Sequence, residues 1–296
     1  MNLWKDLQSK YRHGDIVLRL VLINLGVFVV LNIYLTIYYF LEIPYPSFLG
    51  DDLTLSASSD WSVMLHRPWS LLTHMFTHED FGHVFFNMLA LYFMGGLLWQ
   101  LLGTKTVLTS YFLGGLSGFT LFFIAFNTME RFQEPGGSFI IGASAAVMGI
   151  TMTAAAFAPQ MPIRIFGVLE MKLIWVGLSL LLLDLFSIRY GVNSGGHIAH
   201  IGGAAFGYFY GWNLRTGKSM FKWFESIMQR LGNLLSRKKK MRVTVNHARP
   251  KSDEEYNQDK KLRQERIDFI LDKIGKSGYE SLSKDEKEFL FRHSQK

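Results

Sequence analysis

Two histidines, His197 and His200, lie three residues apart in the apolar stretch GGHIAHIGG. Ionisable side chains are costly inside a membrane and are usually present there for a function. A serine of similar interest, Ser144, lies in the apolar stretch GASAAVMG. A histidine beside a serine can take the hydroxyl proton and so turn the serine oxygen into a nucleophile. These residue types therefore predict acyl-transfer chemistry if the fold brings a histidine to Ser144.

Six apolar segments could carry these residues, each near the ~20 residues that a bilayer core requires. They are residues 17–41, 81–103, 106–127, 138–158, 172–188 and 195–214. A hydrophobic share of 49% also indicates a membrane protein rather than a soluble one. The segment 42–80 is too polar to span a bilayer. The sequence therefore predicts an all-α polytopic membrane protein built as a bundle of six transmembrane helices.

The basic residues predict the orientation of this bundle. Lysine and arginine concentrate before the first apolar segment and after residue 214, whereas the loop 42–80 has Arg67 as its one basic residue against six acidic ones. The positive-inside rule therefore places both termini in the cytoplasm. The net charge of +7 could suggest a nucleic acid partner, but the charges flank the apolar part, as membrane topology requires, so no nucleic acid is expected.

Four parts of the chain follow from this pattern. Residues 1–16 are a polar cytoplasmic arm without the features of a cleaved signal peptide, and residues 17–215 are the membrane domain. Residues 216–240 are basic and amphipathic, which favours a helix on the inner leaflet over a solvated linker. Residues 241–296 are predicted to be a cytoplasmic tail with a small helical hairpin. Gly275 would close its first helix, and Ser283 with Glu286 would form a capping box for the second.

Depth in the membrane suggests which polar residues act together. Asn87, Ser144 and His200 lie six, six and five residues past the starts of the second, fourth and sixth apolar segments. At ~1.5 Å per residue, all three would lie roughly 8–9 Å inside their helices. Taken singly, a serine in a membrane helix more often bonds its own backbone or packs a neighbour, and an asparagine is as often engaged in an interhelical hydrogen bond as in a site. The shared depth favours one site, in which the Asn87 amide could stabilise an oxyanion.

His200 is the better candidate for the base. It matches the depth of Ser144, and Gly203, Gly207 and Gly211 follow it at intervals that let another helix backbone approach closely. That partner is expected to be the helix of Ser144, where Gly142 permits a tight backbone. His197 lies one turn nearer the surface, so it is expected to support the site or only to lie at the interface.

A metal site is not expected. The stretch HEDFGH places His78 and His83 five residues apart, which on a helix rotates the second ring by roughly 140° from the first. The chain has no cysteine, which excludes thiolate catalysis and cysteine-based metal sites. His83 precedes Asn87 by four residues and shares its helical face, so it could help to hold the oxyanion. Neither a metal nor another cofactor is predicted.

Together these stretches resemble the rhomboid family of intramembrane serine proteases, in its bacterial form. The matching pieces are RPWSLLTHMFTHEDFGHVFFNMLALYFMG with its H-x-x-x-N, GASAAVMG, and AHIGGAAFG, and the resemblance covers roughly residues 17–214. It implies a bundle with a water-filled cavity opening outward, and a dyad of Ser144 and His200 without an aspartate. It also implies that His83, Asn87 and the Ser144 backbone N–H hold the oxyanion.

The resemblance further implies what the protein acts on and where. The family cleaves transmembrane segments of single-span or polytopic membrane proteins near helix-destabilising small residues, usually without a cofactor. We expect the cut near the extracytoplasmic side, with the enzyme in the lipid bilayer of a cell inner membrane as a multi-pass protein. A soluble cytoplasmic partner could bind the C-terminal tail.

Two residues depart from the family pattern. Ala145 replaces the last glycine of the usual G-x-S-G, and Met148 replaces an aromatic residue that often packs on the catalytic histidine. A thioether contact from Met148 could substitute for the aromatic one. Two other classes stay open: a weak or inactive rhomboid-like protein that binds transmembrane clients, and a solute transporter. The presence of both Ser144 and His200 argues against the first, and the lack of an internal repeat argues against the second.

Overall fold

The computed structural model describes residues 16–42, 55–133, 137–165, 168–190, 193–218, 220–235 and 252–293. Within these ranges the chain is almost entirely helical. The helices are α1 Ile16–Phe40, α2 Trp61–His66, α3 Ser70–Thr73, α4 Phe81–Ala90, α5 Gly96–Thr128, α6 Ser144–Phe157, α7 Leu173–Ser187, α8 Ser194–Arg215, α9 Lys222–Leu235, α10 Asp253–Ser277 and α11 Lys284–His293. A π-helical turn, Leu91–Gly95, joins α4 to α5, and single 3₁₀ turns cover His74–Phe76, Glu130–Phe132, Ile188–Tyr190 and Tyr279–Ser281.

Four short strands form two antiparallel pairs. Strand β1 Ala57–Ser58 pairs with β2 Phe139–Ile140, and β3 Pro162–Ile165 pairs with β4 Leu169–Lys172. Neither pair closes a sheet, so the all-α membrane fold predicted from the sequence is confirmed. The chain divides into two compact units, Met1–Lys238 and Lys239–Lys296.

Three helical runs in the described part of the chain are long and apolar enough to cross a membrane: Ile16–Phe40, Phe81–Thr128 and Leu173–Tyr190. The second run has 48 residues and breaks at Gly103, whose φ of +79° a helix cannot accept. After the break the chain returns, because both ends of the run lie near the segment 138–142. Asn127 donates to the carbonyl of Ser59, whose own N–H donates to Ser138, and the ring of His83 lies against Gly142. The run therefore contains the two predicted segments 81–103 and 106–127.

The remaining two predicted spans, α6 and α8, lie at the centre of the bundle. They pack mainly against protein, and small residues such as alanine and glycine are frequent in them. Helix α6 has only 14 residues and is apolar, whereas α8 has 22 and is rich in glycine. The total of six spans and the position of both termini stay predictions.

The start of α6 differs from the sequence-based expectation. The predicted segment began at residue 138, but Phe139 and Ile140 form β2 and the helix begins at Ser144 itself. Gly142 adopts a φ of +114°, which interrupts any helix before the serine. Extended residues rise about 3.3 Å each, against 1.5 Å in a helix, so the depth inferred for Ser144 by counting helical residues was wrong.

Small residues lock α6 against α8. A Cβ added at Gly203, Gly207 or Gly211 would overlap a carbonyl oxygen of α6, and the three oxygens belong to Ala145, Gly149 and Thr153. Both series advance by four residues in the same direction, so the two helices run parallel with a fixed register. The prediction that this glycine repeat admits the helix of Ser144 is therefore confirmed. We call these three pairs the glycine seam.

Helix α5 packs against the same two helices in the opposite direction. Gly114 faces the Cα of Gly149, where an added Cβ would lie 3.1 Å away. Ser110 donates from its hydroxyl to that of Thr153 at 3.0 Å, one turn further along. Three helices thus meet with almost no side chain between them, which favours van der Waals contact between backbones in a membrane.

Helix α9 begins against the inner part of α8. The Tyr210 hydroxyl donates to Glu225 Oε1 at 2.8 Å, and the ring of Phe221 packs on those of Phe206 and Tyr210. The residues that α9 covers are therefore not a simple linker. Trp223 and Ile227 stay exposed on this helix. Their contact with the inner leaflet stays a prediction.

The second unit is a helical hairpin of α10 and α11. The predicted stop at Gly275 was wrong, because α10 continues to Ser277 and ends at Gly278, which has a φ of +77°. The predicted capping box of α11 is confirmed: Glu286 N–H donates to Ser283 Oγ at 3.3 Å, and Ser283 N–H donates to Glu286 Oε2 at 2.7 Å.

Candidate active site

The turn before Ser144, the first residue of α6, is held by contacts with the segment 74–78. The N–H of Gly142 donates to the carbonyl of His74 at 2.8 Å, and the N–H of Ala143 donates to His78 Nε2 at 3.4 Å. Tyr111 of α5 donates to the carbonyl of Met75 at 2.9 Å and so fixes that segment to the bundle. The Ser144 N–H lies in the first helical turn, whose N–H groups lack intrahelical acceptors and favour negative charge.

The two histidines of the segment 74–78 have a structural role. Burial lowers the pKa of His74 to about 4, and burial together with the nearby His83 lowers the pKa of His78 to about 4. Both rings are therefore neutral near pH 7. A neutral His78 can accept the N–H of Ala143 on Nε2, which a protonated ring could not do.

His83 packs directly over the turn before Ser144. A Cβ added to Gly142 would lie 2.7 Å from both Cε1 and Nε2 of the His83 ring, so only glycine fits there. The rings of His78 and His83 meet edge to face with centroids 5.0 Å apart. Because α4 begins at Phe81, His78 lies outside the helix, and the argument that separated these two rings by helical rotation was wrong.

Asn87 lies on α4 one turn inward from His83. Its side chain is buried, and Nδ2 donates to the carbonyl of His83 at 3.0 Å. This bond stays within one helix, so it is not the interhelical bond that a purely structural role would suggest. An amide nitrogen carries two N–H groups, and the second can donate to another acceptor.

His197 and His200 share one carboxylate oxygen. Nδ1 of each ring lies 2.8 Å from Oδ1 of Asp184, which projects from α7. The resemblance implied a serine–histidine dyad without an aspartate, whereas here a carboxylate is bonded to His200. Sequence reasoning missed Asp184, although a lone acidic residue in the run LSLLLLDLF was the signal that could have found it.

This cluster is also the one group of three or more histidine and acidic side chains in the described residues that could hold a metal ion, with ligand atoms within 4.8 Å of one another. Two imidazoles and one carboxylate are chemically suitable for zinc. Both Nδ1 atoms already lie at hydrogen-bond distance from the carboxylate, so hydrogen bonds alone account for the arrangement of the three side chains.

The glycine seam fixes the register of the helix that begins at Ser144 against the helix that carries His200. Ala145, next to the serine, contacts Gly203, and His200 lies one helical turn before Gly203, toward the N-terminus of α8. His83 covers the turn before the serine, because its ring lies against Gly142. The Ser144 hydroxyl is half-buried and makes no hydrogen bond with another described residue. Catalytic hydrogen bonds often form only when substrate is bound.

Met148 packs one turn away from the histidine cluster. It is buried with Met152 and Ala204, and Leu181 packs against the same group. Ala204 lies one turn inward of His200, and Leu181 lies one turn before Asp184. Met148 therefore supports the helices that carry the cluster.

A cavity of about 420 Å³ lies beside the C-terminal end of α5 and the N-terminal end of α8. Its walls include Phe126, Phe139 and Gly195, and Gly195 is five residues before His200 on α8. Ser144 and His200 are not among the residues that line it.

Replacing Asn87 with alanine should lower turnover without abolishing it. Loss of one oxyanion donor costs about 10²–10³ in rate, and two other candidate donors here should make the loss smaller. The measurement is kcat for a single-span reporter in detergent. Thr120→Ala is a matched control, because the Thr120 hydroxyl also bonds a carbonyl four residues earlier, at 2.8 Å, but on the exposed side of α5. If wild type, Asn87→Ala and Thr120→Ala have equal turnover, Asn87 has only a structural role.

Comparison with known proteins gives a family match in two parts of the chain. Residues 65–217 match the family model of the rhomboid domain, and residues 251–296 match a family of unknown function, DUF6576. The chain is 27% identical over 227 residues to "RHOMBOID-like protein 12, mitochondrial" of Arabidopsis thaliana. The matched region covers 74% of this chain and 64% of that protein. It is 28% identical over 144 residues to "Rhomboid protein 1, mitochondrial" of Saccharomyces cerevisiae, covering 48% of this chain and 41% of that protein. The chain thus spans less than two thirds of either relative.

Proposed function

The chain belongs to the rhomboid family, and from this premise we propose that it is an intramembrane serine endopeptidase. Its substrates would be single-span or polytopic membrane proteins, cleaved in their transmembrane segments. The observation that carries the proposal is the contact between Ala145 and Gly203, because it sets the register of the serine helix against the histidine helix.

The proposed reaction begins with the serine. Ser144 Oγ attacks the scissile carbonyl while His200 Nε2 takes the hydroxyl proton, since Nδ1 of that ring is engaged by Asp184. The carbonyl oxygen becomes an oxyanion that accepts hydrogen bonds from the Ser144 N–H, the Asn87 amide and His83. His200 then gives its proton to the leaving amine, and an acyl-enzyme remains.

Water completes the cycle. A water molecule gives a proton to His200 Nε2 and attacks the acyl carbon, and the proton returns to Ser144 Oγ as the acid product leaves. The chain's own residues supply every proton transfer, so the proposal needs no cofactor.

The proposed setting is a cell inner membrane of the bacterial type, with six spans and both termini in the cytoplasm. The distribution of basic residues supports this orientation, although the names of both relatives specify mitochondria. Ser144 would then lie toward the extracytoplasmic side. A lipid bilayer would be the one obligatory partner, and nucleic acid would not be one.

Purified protein should react with a serine-directed fluorophosphonate at Ser144, and it should cut a single-span reporter toward its extracytoplasmic end. The label is placed by peptide mass spectrometry, and the cut by the masses of the two products. Ser117→Ala is a control that should keep the label, because the Ser117 hydroxyl donates to the carbonyl of Gly202. A cut at the cytoplasmic end would contradict the proposed orientation.

A second candidate function is the binding of transmembrane clients without cleavage. The Ser144 hydroxyl has no hydrogen bond to His200 in the described structure, which is the observation that favours it. The labelling experiment separates the two, since an inactive client-binding protein would hold the reporter but would not acquire the label.

A chain ending after Lys240 should insert and cleave the reporter as the full chain does. The tail belongs to a separate compact unit, and a bilayer core of ~30 Å would separate a cytoplasmic tail from a serine near the outer side. We propose regulation or contact with a soluble cytoplasmic partner as its role. Initial rates of the two proteins in the same detergent are compared. A truncated protein with unchanged thermal unfolding but no activity would show that the tail controls the membrane domain.

A further inference from the structure

We propose that Asp184 is a positioning residue that fixes the His200 ring with its proton on Nδ1 and its lone pair on Nε2. The inference rests on the proposed function and adds a third member to the serine–histidine pair. His197 would be a second donor that holds the carboxylate in place.

The hydrogen bonds determine the form of the ring. Both Nδ1 atoms lie 2.8 Å from the same Asp184 oxygen, and an ionised carboxylate can only accept hydrogen bonds. Each Nδ1 must therefore carry a proton, because an unprotonated nitrogen would point a lone pair at a negative oxygen. In a neutral imidazole that leaves Nε2 unprotonated, which is the form that a general base requires.

The burial of Asp184 in an apolar helix indicates that its carboxylate has a specific role. The residue is 7% exposed and lies in a helix whose other residues are almost all apolar. A buried carboxylate strongly destabilises a fold unless hydrogen-bond donors surround it. Within the described residues, its hydrogen-bond donors are the two imidazoles, so its side chain is committed to the histidine pair.

Only one of the two histidines can serve the serine. Their rings are nearly perpendicular, at 85°, with centroids 5.9 Å apart. Because both Nδ1 atoms converge on one oxygen, the two Nε2 atoms point in different directions. In the register of the glycine seam, His200 lies one turn and His197 two turns before Gly203, so His200 is the nearer of the two to the first turn of α6. The arrangement assigns base chemistry to His200 and support of the carboxylate to His197.

The apolar residues packed beside the cluster cannot fix the His200 ring with its proton on Nδ1. Met148 packs with Ala204 and Leu181, one turn from the cluster, and a thioether is only a weak acceptor. When His200 takes the serine proton, the ring becomes a cation, and the adjacent Asp184 carboxylate stabilises it without moving. The same carboxylate thus sets the ring beforehand and favours the charged intermediate.

The test compares Asp184→Asn, Asp184→Glu and His197→Ala in the full chain, with Leu183→Asn as a control at an exposed neighbouring position. We expect kcat for a single-span reporter to fall about 10²–10⁴-fold in Asp184→Asn, with KM unchanged. The reason is that an amide can donate a hydrogen bond to Nδ1 and so stabilise the ring with its proton on Nε2, where it cannot act as a base. Asp184→Glu should recover part of kcat. His197→Ala should keep more activity than Asp184→Asn.

The second readout is ¹⁵N NMR of histidine-labelled protein, with the His200 signal assigned by its loss in His200→Gln. Wild type should show Nδ1 protonated and Nε2 free, and Asp184→Asn should show a mixture. Wild-type kcat in Asp184→Asn, or an unchanged ring form, would overturn the inference. Activity lost with a chelator and restored by zinc would also overturn it, because the cluster would then be a metal site. If wild type neither cleaves nor takes the fluorophosphonate, the proposed function fails, and the NMR result still decides the ring form.

Discussion

Replacing Ser144 or His200 with alanine should abolish cleavage of a single-span reporter. The first change removes the nucleophile and the second removes the group that takes its proton, so kcat should fall by about 10⁴-fold or more in each. Product formation is followed by mass spectrometry after reconstitution into lipid. The double variant should be no slower than either single one, because the two residues act as a unit.

His66→Ala is the matched histidine control. His66 is exposed on α2, and its Nδ1 bonds the carbonyl of Ser62 at 2.8 Å, away from the turn that carries Ser144. That variant should cleave at the wild-type rate, and all variants should insert with similar thermal unfolding. Activity retained in His200→Ala but lost in His197→Ala would mean that the wrong histidine was chosen as the base.

The large features of this fold could be predicted because they depend on patterns that a sequence displays directly. Six apolar segments and the flanking basic residues indicate a polytopic membrane protein. The four-residue spacing from Gly203 to Gly211 predicts a close helix contact, and the structure places α6 there. The capping box at Ser283 is a short local pattern and was equally readable.

The start of α6 could not be read in the same way. Residues 138–143 are as apolar as the helix that follows, so composition does not separate them. What makes them extended is the pairing of Phe139–Ile140 with Ala57–Ser58 and the φ of +114° at Gly142. The strand partner lies about 80 residues earlier in the chain, and such a contact leaves no local pattern in a sequence.

Asp184 was missed for a different reason. Its signal was present as one carboxylate in an apolar segment, but its partners lie on the next helix. The spacing from Asp184 to His200 spans the end of one helix and the start of another, so it has no fixed period. The three-residue spacing of the two histidines places them on adjacent turns, and only packing shows that one oxygen accepts from both.

The glycine seam itself gives the second large effect: Gly207→Ala should destabilise the membrane domain by about 3 kcal/mol. The new Cβ would overlap the carbonyl oxygen of Gly149 and lie 3.0 Å from the Met152 Cβ, and neither neighbour can rotate away. The helices must separate, which weakens the contact between Ala145 and Gly203 and shifts His200 relative to Ser144. Thermal unfolding in detergent should fall by roughly 10 °C, and kcat should drop even well below the transition.

Gly26→Ala provides a control with the opposite expected sign. Gly26 lies within α1, is exposed, and has no atom within 4 Å of an added Cβ. Alanine there reduces the freedom of the unfolded chain, so stability should stay the same or rise by up to about 1 kcal/mol. If Gly207→Ala behaved like Gly26→Ala, the close approach of α6 and α8 would not hold in the folded protein. The proposed approach of His200 to Ser144 depends on this register, so the main support for the proposed reaction would then be lost.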